Sequence, residues 1–334
     1  MHADDDARFT IRRFQRGDEA AILKLFARSF GTERSIEHWR WKYEDDPYGA
    51  ERISVAFDGN GELVAHYAGY PVAFRIDGRD AIGNQIGDTM TDPSIRHIGR
   101  GPTSLLGRTA LHFYENFCEN RVAFNFGFNV SNIQKFSLKF LRSTRVENVF
   151  YRLRDLRQNP LRPLSRLERY ARGVGLDLVD DTSPEWDSFW TRVEKQYAFL
   201  VRRDAQYVRW RYLLRPDVRY TVVAIRKWRT LAGWLVLRLR NGRLAIVDML
   251  LDADLAETFE TALRHLAPIY ATSVIEMWCP PRPRWLHELL LSLRFESQPE
   301  PQDLSVMCVP FLDGTAPFRM ADSLYYTMGD SDLF

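Results

Sequence analysis

The second half of this chain repeats the first, and that repeat limits its fold more than any other feature. Trp41-Lys42-Tyr43 with Pro47 is matched by Trp210-Arg211-Tyr212 with Pro216. Both read W-[K/R]-Y-x3-P at a predicted helix end, and an apolar strand follows each. Gly61-Glu62-Leu63-Val64 is echoed by Leu231-Ala232-Gly233-Trp234-Leu235-Val236, and Asp88-Thr89-Met90 by Asp248-Met249. A predicted strand at 274–278 and a helix at 285–293 complete the echo. Their common order points to duplication. A length of 334 residues fits two domains, at roughly 150 residues each.

Composition narrows the function. Hydrophobic residues make up 45% and charged residues 27%, a globular balance. A net charge of +2 gives the molecule no strong pull toward nucleic acid or an anionic membrane, and neither is expected as a partner. No apolar run approaches the roughly 18 residues of a membrane span. Cys118, Cys279 and Cys308 are odd in number and widely spaced, which fits a reducing compartment. The acidic start MHADDDARFTIRRF is unlike a secretion signal, so the cytoplasm is expected. The seven histidines include no pair two to five apart, which disfavours a local zinc site, and no G-x-S-x-G occurs. The stretch 151–172 holds seven arginines with Pro160 and Pro163 and reads as a solvated linker or connecting helix.

Period and turn signals predict β-α-α-β-β-β-α-β-α-β over residues 8–150. Asp18, Ser35 and Ser131 are the expected helix caps. Asp77-Gly78 is a hairpin signal before a strand ending near Thr91. A helix is then expected from Pro102 to about Glu119, with an inward stripe of Leu106, Ala110, Phe113 and Phe117. Between strand and helix runs Asp88-Thr89-Met90-Thr91-Asp92-Pro93-Ser94-Ile95-Arg96-His97-Ile98-Gly99-Arg100-Gly101-Pro102. Glycines there permit tight turns and close approach of a ligand, and the free amides of a helix start favour an anion. The spacing fits neither a dinucleotide fingerprint nor a P-loop.

It fits [Q/R]-x-x-G-x-[G/A], through Arg96, Gly99 and Gly101. With the element order around it, this resembles the pyrophosphate loop of the GCN5-related N-acetyltransferase superfamily. The resemblance implies an α+β fold of two tandem domains of that type. Each would be a mixed, mostly antiparallel sheet flanked by helices. The expected division is an acetyl-CoA-binding domain at 8–150, an Arg-rich linker at 151–175, a degenerate domain at 176–312 and a tail at 313–334. Leu250-Leu251-Asp252-Ala253-Asp254-Leu255, without glycine and acidic, stands where the second pyrophosphate loop would be, so one cofactor site is expected.

The resemblance further implies acetyl-CoA in a V-shaped gap between strands near 86–91 and 122–128. Met90 and Thr91 would offer backbone groups to pantetheine and thioester. Arg96, His97, Ile98, Gly99, Arg100, Gly101 and Pro102 would hold the pyrophosphate, with Asn129 and Asn132 as further contacts. The reaction implied is direct attack of a small-molecule amine, an amino sugar or similar, on the thioester in a ternary complex. Asp88 is the expected base, with a pKa raised by burial; the alternative is that it orders a turn or pairs with an arginine. The helix at 131–141 lacks the family's usual tyrosine acid, leaving Tyr67 and Tyr70. The aromatic and acidic end, Tyr325 to Phe334, is either a loose tail or folds back so that Asp330, Asp332 or the terminal carboxylate faces the acceptor. Trp39, Trp41 and Trp210 read as core residues. The alternative function is a noncatalytic acyl-CoA-binding sensor or scaffold, and a homodimer stays open.

Overall fold

The computed structural model of the chain describes residues 8–49, 51–96, 99 and 101–334, the side chains of Ser131 and Asn132 excepted. The elements are β1 (Phe9–Arg13), α1 (Glu19–Phe30), α2 (Ile36–Tyr43), β2 (Ile53–Asp58), β3 (Leu63–Ile76), β4 (Arg79–Thr91), α3 (Leu105–Phe117), β5 (Phe124–Asn129), α4 (Ser131–Phe140) and β6 (Thr144–Asn148). There follow β7 (Tyr151–Asp155), α5 (Arg166–Ala171), β8 (Val174–Val179), α6 (Pro184–Val193), β9 (Phe199–Val201), α7 (Ala205–Val208), β10 (Thr221–Lys227), β11 (Thr230–Arg240) and β12 (Arg243–Leu251). The chain ends with α8 (Glu257–Ile269), β13 (Val274–Trp278), α9 (Arg284–Ser292), β14 (Glu296–Gln298), β15 (Ser305–Pro310), α10 (Ala316–Ser323) and β16 (Leu324–Tyr325). The fold is mixed α/β, with two largely antiparallel sheets flanked by helices.

The chain divides into two units, and neither is continuous. The first comprises 1–73, 81–147 and 304–318; the second comprises 74–80, 148–303 and 319–334. The first sheet runs β1-β2-β3-β4-β5-β15-β6. β1 pairs antiparallel to β2, β2 to β3, and β5 to β15, while β4 and β5 are parallel. The second sheet runs β14-β7-β13-β12-β11-β10-β8, with β12 and β13 its parallel pair.

The first unit builds a core on each side of its sheet. Ile22, Leu25 and Phe26 of α1 pack with Trp39 and Tyr43 of α2, with β2 and β3, and with Met90. Ala110, Phe113 and Tyr114 of α3 pack with Tyr67, Val122, Leu141 and Val309. These stripes follow from apolar residues three and four apart. Trp39, Trp41 and Trp210 are core residues, as their helix-end positions suggested.

Several local expectations need correction. Ser35 caps α2 by accepting from the His38 amide. Asp18, however, makes no cap bond: Arg12 takes its carboxylate in a two-pronged pair, 2.7 and 2.8 Å long. Val130 rather than Ser131 precedes α4. The stretch 151–172 is not simply solvated, because its first five residues are β7 within the second sheet. There Arg152 is buried and donates to the Cys279 carbonyl at 2.7 Å, and Arg154 donates to the carbonyls of Leu293 and Asn159. Backbone carbonyls, and His287 Nδ1 at 2.9 Å from Arg152 Nη2, take up these guanidiniums, which composition alone cannot reveal. The end of the chain is not a loose tail either. Tyr325, Tyr326, Met328 and Asp330 are buried in the second unit, and Arg215 donates to the Phe334 carbonyl. All three cysteines are buried and free.

Candidate active site

The site is built where β4 and β5 part. Their parallel register pairs Gly83 with Phe124, Asn84 with Asn125 and Gln85 with Phe126, and stops there. Both strands run on, β4 to Thr91 and β5 to Asn129, and β5 keeps its other edge paired to β15 over its whole length. A gap therefore opens beside β4 from Ile86 onward. At its narrow end a Cβ placed on Gly127 would lie 3.5 Å from both the Ile86 carbonyl and Asn129 Oδ1. Among the described residues no strand pairs with the open side of β4 beyond Gln85, and such an edge is where an extended ligand can add itself to a sheet.

Asp88 causes the bend. Its φ of 52° breaks the extended run of β4, a left-handed conformation that aspartate tolerates better than most residues. Its carbonyl accepts from His66 Nδ1 at 2.7 Å. Burial pushes the His66 pKa down to about 4, against the pull of Asp88, so the ring is neutral at pH 7 and Nδ1 carries its proton.

The Asp88 side chain lies in a cage of donors. Tyr43 Oη donates to Oδ2 at 2.6 Å, Lys42 Nζ lies 3.2 Å from the same oxygen, and Arg34 grips both oxygens. All three charged side chains are nearly buried, with exposures of 11% for Arg34, 3% for Lys42 and 6% for Asp88. Burial alone would push the carboxyl pKa up. Lys42 and Arg34, helped by the Arg34 and Tyr43 hydrogen bonds, outweigh it and hold Asp88 well below the ordinary carboxylate range. The expected raised pKa is therefore corrected: two cations are in contact with the carboxylate, an arrangement that favours the ionised form.

Along the same side of the sheet, Tyr70 Oη donates to Gln85 Oε1 at 2.6 Å, and Lys42 Nζ sits 5.7 Å from the Tyr70 ring centre. Gln85 is buried, and among the described residues its Nε2 has no hydrogen-bond partner. Tyr67 belongs to the opposite core, where its hydroxyl meets Tyr114 Oη at 3.3 Å. Sequence reasoning missed Lys42 and Tyr43 as site residues, although it had singled out their motif as half of the repeat.

It also missed Asp46, which follows α2. Burial pushes its carboxyl up to about 8, against the Tyr48 amide and the nearby Arg52 charge, and among the described residues its Oδ2 has no hydrogen-bond partner. Arg52 in turn donates to Asn84 Oδ1 at 2.5 Å, at the paired base of the gap. The one signal was its place beside Pro47, in a loop too short to keep every carboxylate in water.

The loop after β4 departs in detail from expectation. α3 begins at Leu105, not Pro102, because Ser104 is its cap: Ser104 Oγ accepts from the Gly107 amide at 3.1 Å. Gly101, Pro102 and Thr103 form a separate 3-10 turn. The first two amides of α3, of Leu105 and Leu106, are those helix geometry leaves without an intrahelical partner. Gly99 and Gly101 have φ of 70° and 59°. A Cβ on Gly99 would lie 2.7 Å from the Thr103 carbonyl, and one on Gly101 would lie 2.6 Å from the Phe140 ring. The protein's own packing thus demands these glycines, whereas ligand approach was the expected reason. Arg96 is exposed and its Nε donates to the Thr91 carbonyl at 3.1 Å. Met90 and Thr91 are buried at the end of β4. Asn129 ends β5 opposite Ser305. His97, Ile98 and Arg100 lie outside the described residues, as does the Asn132 side chain.

The second unit repeats the carboxylate cage without the loop. β12 and β13 pair only from Leu244 to Ile246, and Tyr212 Oη donates to Asp248 Oδ2 at 2.6 Å. Arg203 Nε lies 3.0 Å from Asp248 Oδ1, and its Nη2 lies 2.6 Å from Asp330 Oδ2. Gly329 sits so close that a Cβ there would be 2.0 Å from the Tyr212 hydroxyl and 3.0 Å from Asp248 Cβ. After β12, Asp252 is buried against Arg192 and Gln196, at 2.9 Å from each.

A sheet whose parallel pair parts next to a glycine loop and a helix start agrees with the fold that the resemblance to GCN5-related N-acetyltransferases implied. Residues 10–137 match the family model of the acetyltransferase (GNAT) domain. Similar solved structures extend over both sheets. One is a conserved protein from Enterococcus faecalis V583 described as a probable N-acyltransferase, at 11% identity and TM-score 0.69 over 92% of this chain and 73% of that one. Others are GCN5-related N-acetyltransferases from Kribbella flavida (15%, 0.63, 92% and 72%) and Anabaena variabilis ATCC 29413 (12%, 0.64, 90% and 73%). At such identities the likeness establishes the fold. No curated protein matches the chain.

Proposed function

We propose that the first unit is an acyl-CoA-dependent N-acyltransferase, acetyl-CoA being the expected donor and a small-molecule amine the acceptor. One observation carries this reading: the β4–β5 register ends at Gln85 and Phe126 while both strands continue. The free edge at Ile86–Thr91 suits a pantetheine chain, and the amides at the start of α3 suit a diphosphate. The residues present fit such a group, since the first turn of α3 carries no acidic side chain. A bound thioester would supply an acyl carbon open to attack by an amine. The chain's own part is to hold the two reactants in line and to take up the amine proton.

In this reading Asp88 is a positioning residue, not the base. Its charge fixes Lys42, Arg34 and Tyr43 beside the bend of β4. Asp46, its carboxyl pushed up by burial and close to Arg52, which reaches Asn84 at the paired base of the gap, is the candidate base. Tyr70 and Gln85 belong to the acceptor side. The second unit is a degenerate copy: its cage is occupied by the chain's own Gly329 and Asp330, and acidic Asp252 and Asp254 replace the glycine loop.

The test compares CoA with pantetheine by calorimetry on the parent chain and Arg96→Glu. CoA should bind, and the variant should weaken it by about tenfold while pantetheine changes little. Release of free thiol from acetyl-CoA with an amine panel then separates enzyme from sensor. A chain that binds neither CoA nor acetyl-CoA would defeat the proposal.

A further inference from the structure

The second unit contains a cavity of about 350 Å³ that the acyl-transfer reading does not use. That volume is at the small end of the range for ligand pockets, roughly 300–1,000 Å³. Trp278, Met328 and Phe334 give it an apolar lining, and all three are buried. The Trp278 and Phe334 rings meet edge to face, with centres 5.0 Å apart.

One wall is a closed polar triad. Tyr151 Oη donates to Glu276 Oε2 at 2.6 Å, and Arg243 Nη1 reaches both, at 3.0 and 3.2 Å. Burial and the hydrogen bond to Glu276 push the Tyr151 phenol up to about 12, so it stays a donor. Glu276 is paired with Arg243, and Glu300, the other carboxylate side chain of the lining, has a partner of its own.

The mouth differs. Arg240 and Arg243 are register partners on the β11–β12 hairpin, whose turn is Asn241-Gly242 with φ of 50° and 72°. Like charges directly opposite each other on a sheet are destabilising. Arg243 is compensated by Glu276. Among the described residues no carboxylate pairs with Arg240, whose guanidinium lies over the Phe334 ring, 4.8 Å from its centre. A small anion at this mouth would relieve the repulsion, and a flat apolar body behind it would meet Trp278, Met328 and Phe334.

We propose that this cavity binds a small aromatic carboxylate, its ring against Trp278 and Phe334 and its carboxylate on Arg240. The site does not depend on the acyl-transfer reading, and its test uses no acyl-CoA. Indole-3-acetate, tryptamine and 3-methylindole are compared by calorimetry and saturation-transfer NMR on the full chain and on Arg240→Gln and Arg240→Lys.

Indole-3-acetate should bind saturably, and tryptamine at least about tenfold more weakly. Arg240→Gln should weaken indole-3-acetate by about tenfold, while Arg240→Lys keeps most of the affinity. Tryptamine binding as well as the carboxylate, unchanged binding in Arg240→Gln, or no saturation by the carboxylate up to about 10 mM would each overturn the proposal. Should Arg240→Gln fail to fold, the comparison of the three probes on the unaltered chain decides alone.

Discussion

The Tyr43 hydroxyl donates to Asp88 Oδ2 at 2.6 Å, from the end of α2 to the one residue of β4 with a left-handed backbone. The bond ties the helix that carries Lys42 to the bend that opens the gap. Tyr212 and Asp248 repeat it at the same length in the second unit. The repeat in the sequence therefore reflects a repeated hydrogen bond between a helix end and a kinked strand.

Removing the phenol isolates that bond. Tyr43→Phe should cost about 1.5–3 kcal/mol, the range for a hydrogen bond to a charged group, read from urea unfolding. Asp88→Asn should cost more, about 3–5 kcal/mol, because Lys42 and Arg34 are left buried without their counter-charge. If Asp88→Asn were as stable as the parent chain, the cage would not be a structural pair.

Asp46 gives stability a pH dependence of definite sign. Burial pushes its folded carboxyl up to about 8, against an unfolded value of about 3.9. The folded state therefore retains a proton that the unfolded chain releases. Its contribution is fully present below the unfolded value and is lost as pH rises toward 8. Asp46→Asn should remove that loss, gaining on the order of a few kcal/mol at pH 8 and little at pH 4. Thermal melts of both proteins across that range check it. In turnover, the same substitution should abolish the pH-dependent limb if Asp46 is the base.

Gly101→Ala should destabilise the loop by about 1–3 kcal/mol from its left-handed backbone alone, with the Phe140 clash added. Adding Phe140→Ala should relieve the clash but not the backbone strain. The double variant would then be less damaged than the sum of the single ones, as expected for residues in contact. Chemical denaturation of the four proteins measures this, and strict additivity would contradict the packing.

Asp330→Ala leaves Arg203 with Asp248 as its remaining carboxylate partner in the described structure. The cost should be about 3 kcal/mol or more, as for one partner removed from a buried pair. Proteolysis near the C-terminus should then accelerate. A variant with an unchanged melt would show that the end of the chain is not held by this pair.

The sequence by itself determined the periodic and punctuated parts. These were the amphipathic helices, the Asp77-Gly78 turn, the strand–loop–helix around Gly99 and Gly101, and the twofold repeat of Trp-basic-Tyr. Each rests on side-chain period or backbone preference within a few residues. Tertiary structure alone decided what depends on distant neighbours. β15 takes the place beside β5, and Arg152 and Arg154 are buried on β7 against acceptors far along the chain. Asp88 is held ionised and Asp46 protonated though both are buried carboxylates. The difference is two cations in contact with the first and, among the described residues, an oxygen without a donor on the second. A pKa is set by what surrounds a group in space, and local sequence does not encode that surrounding.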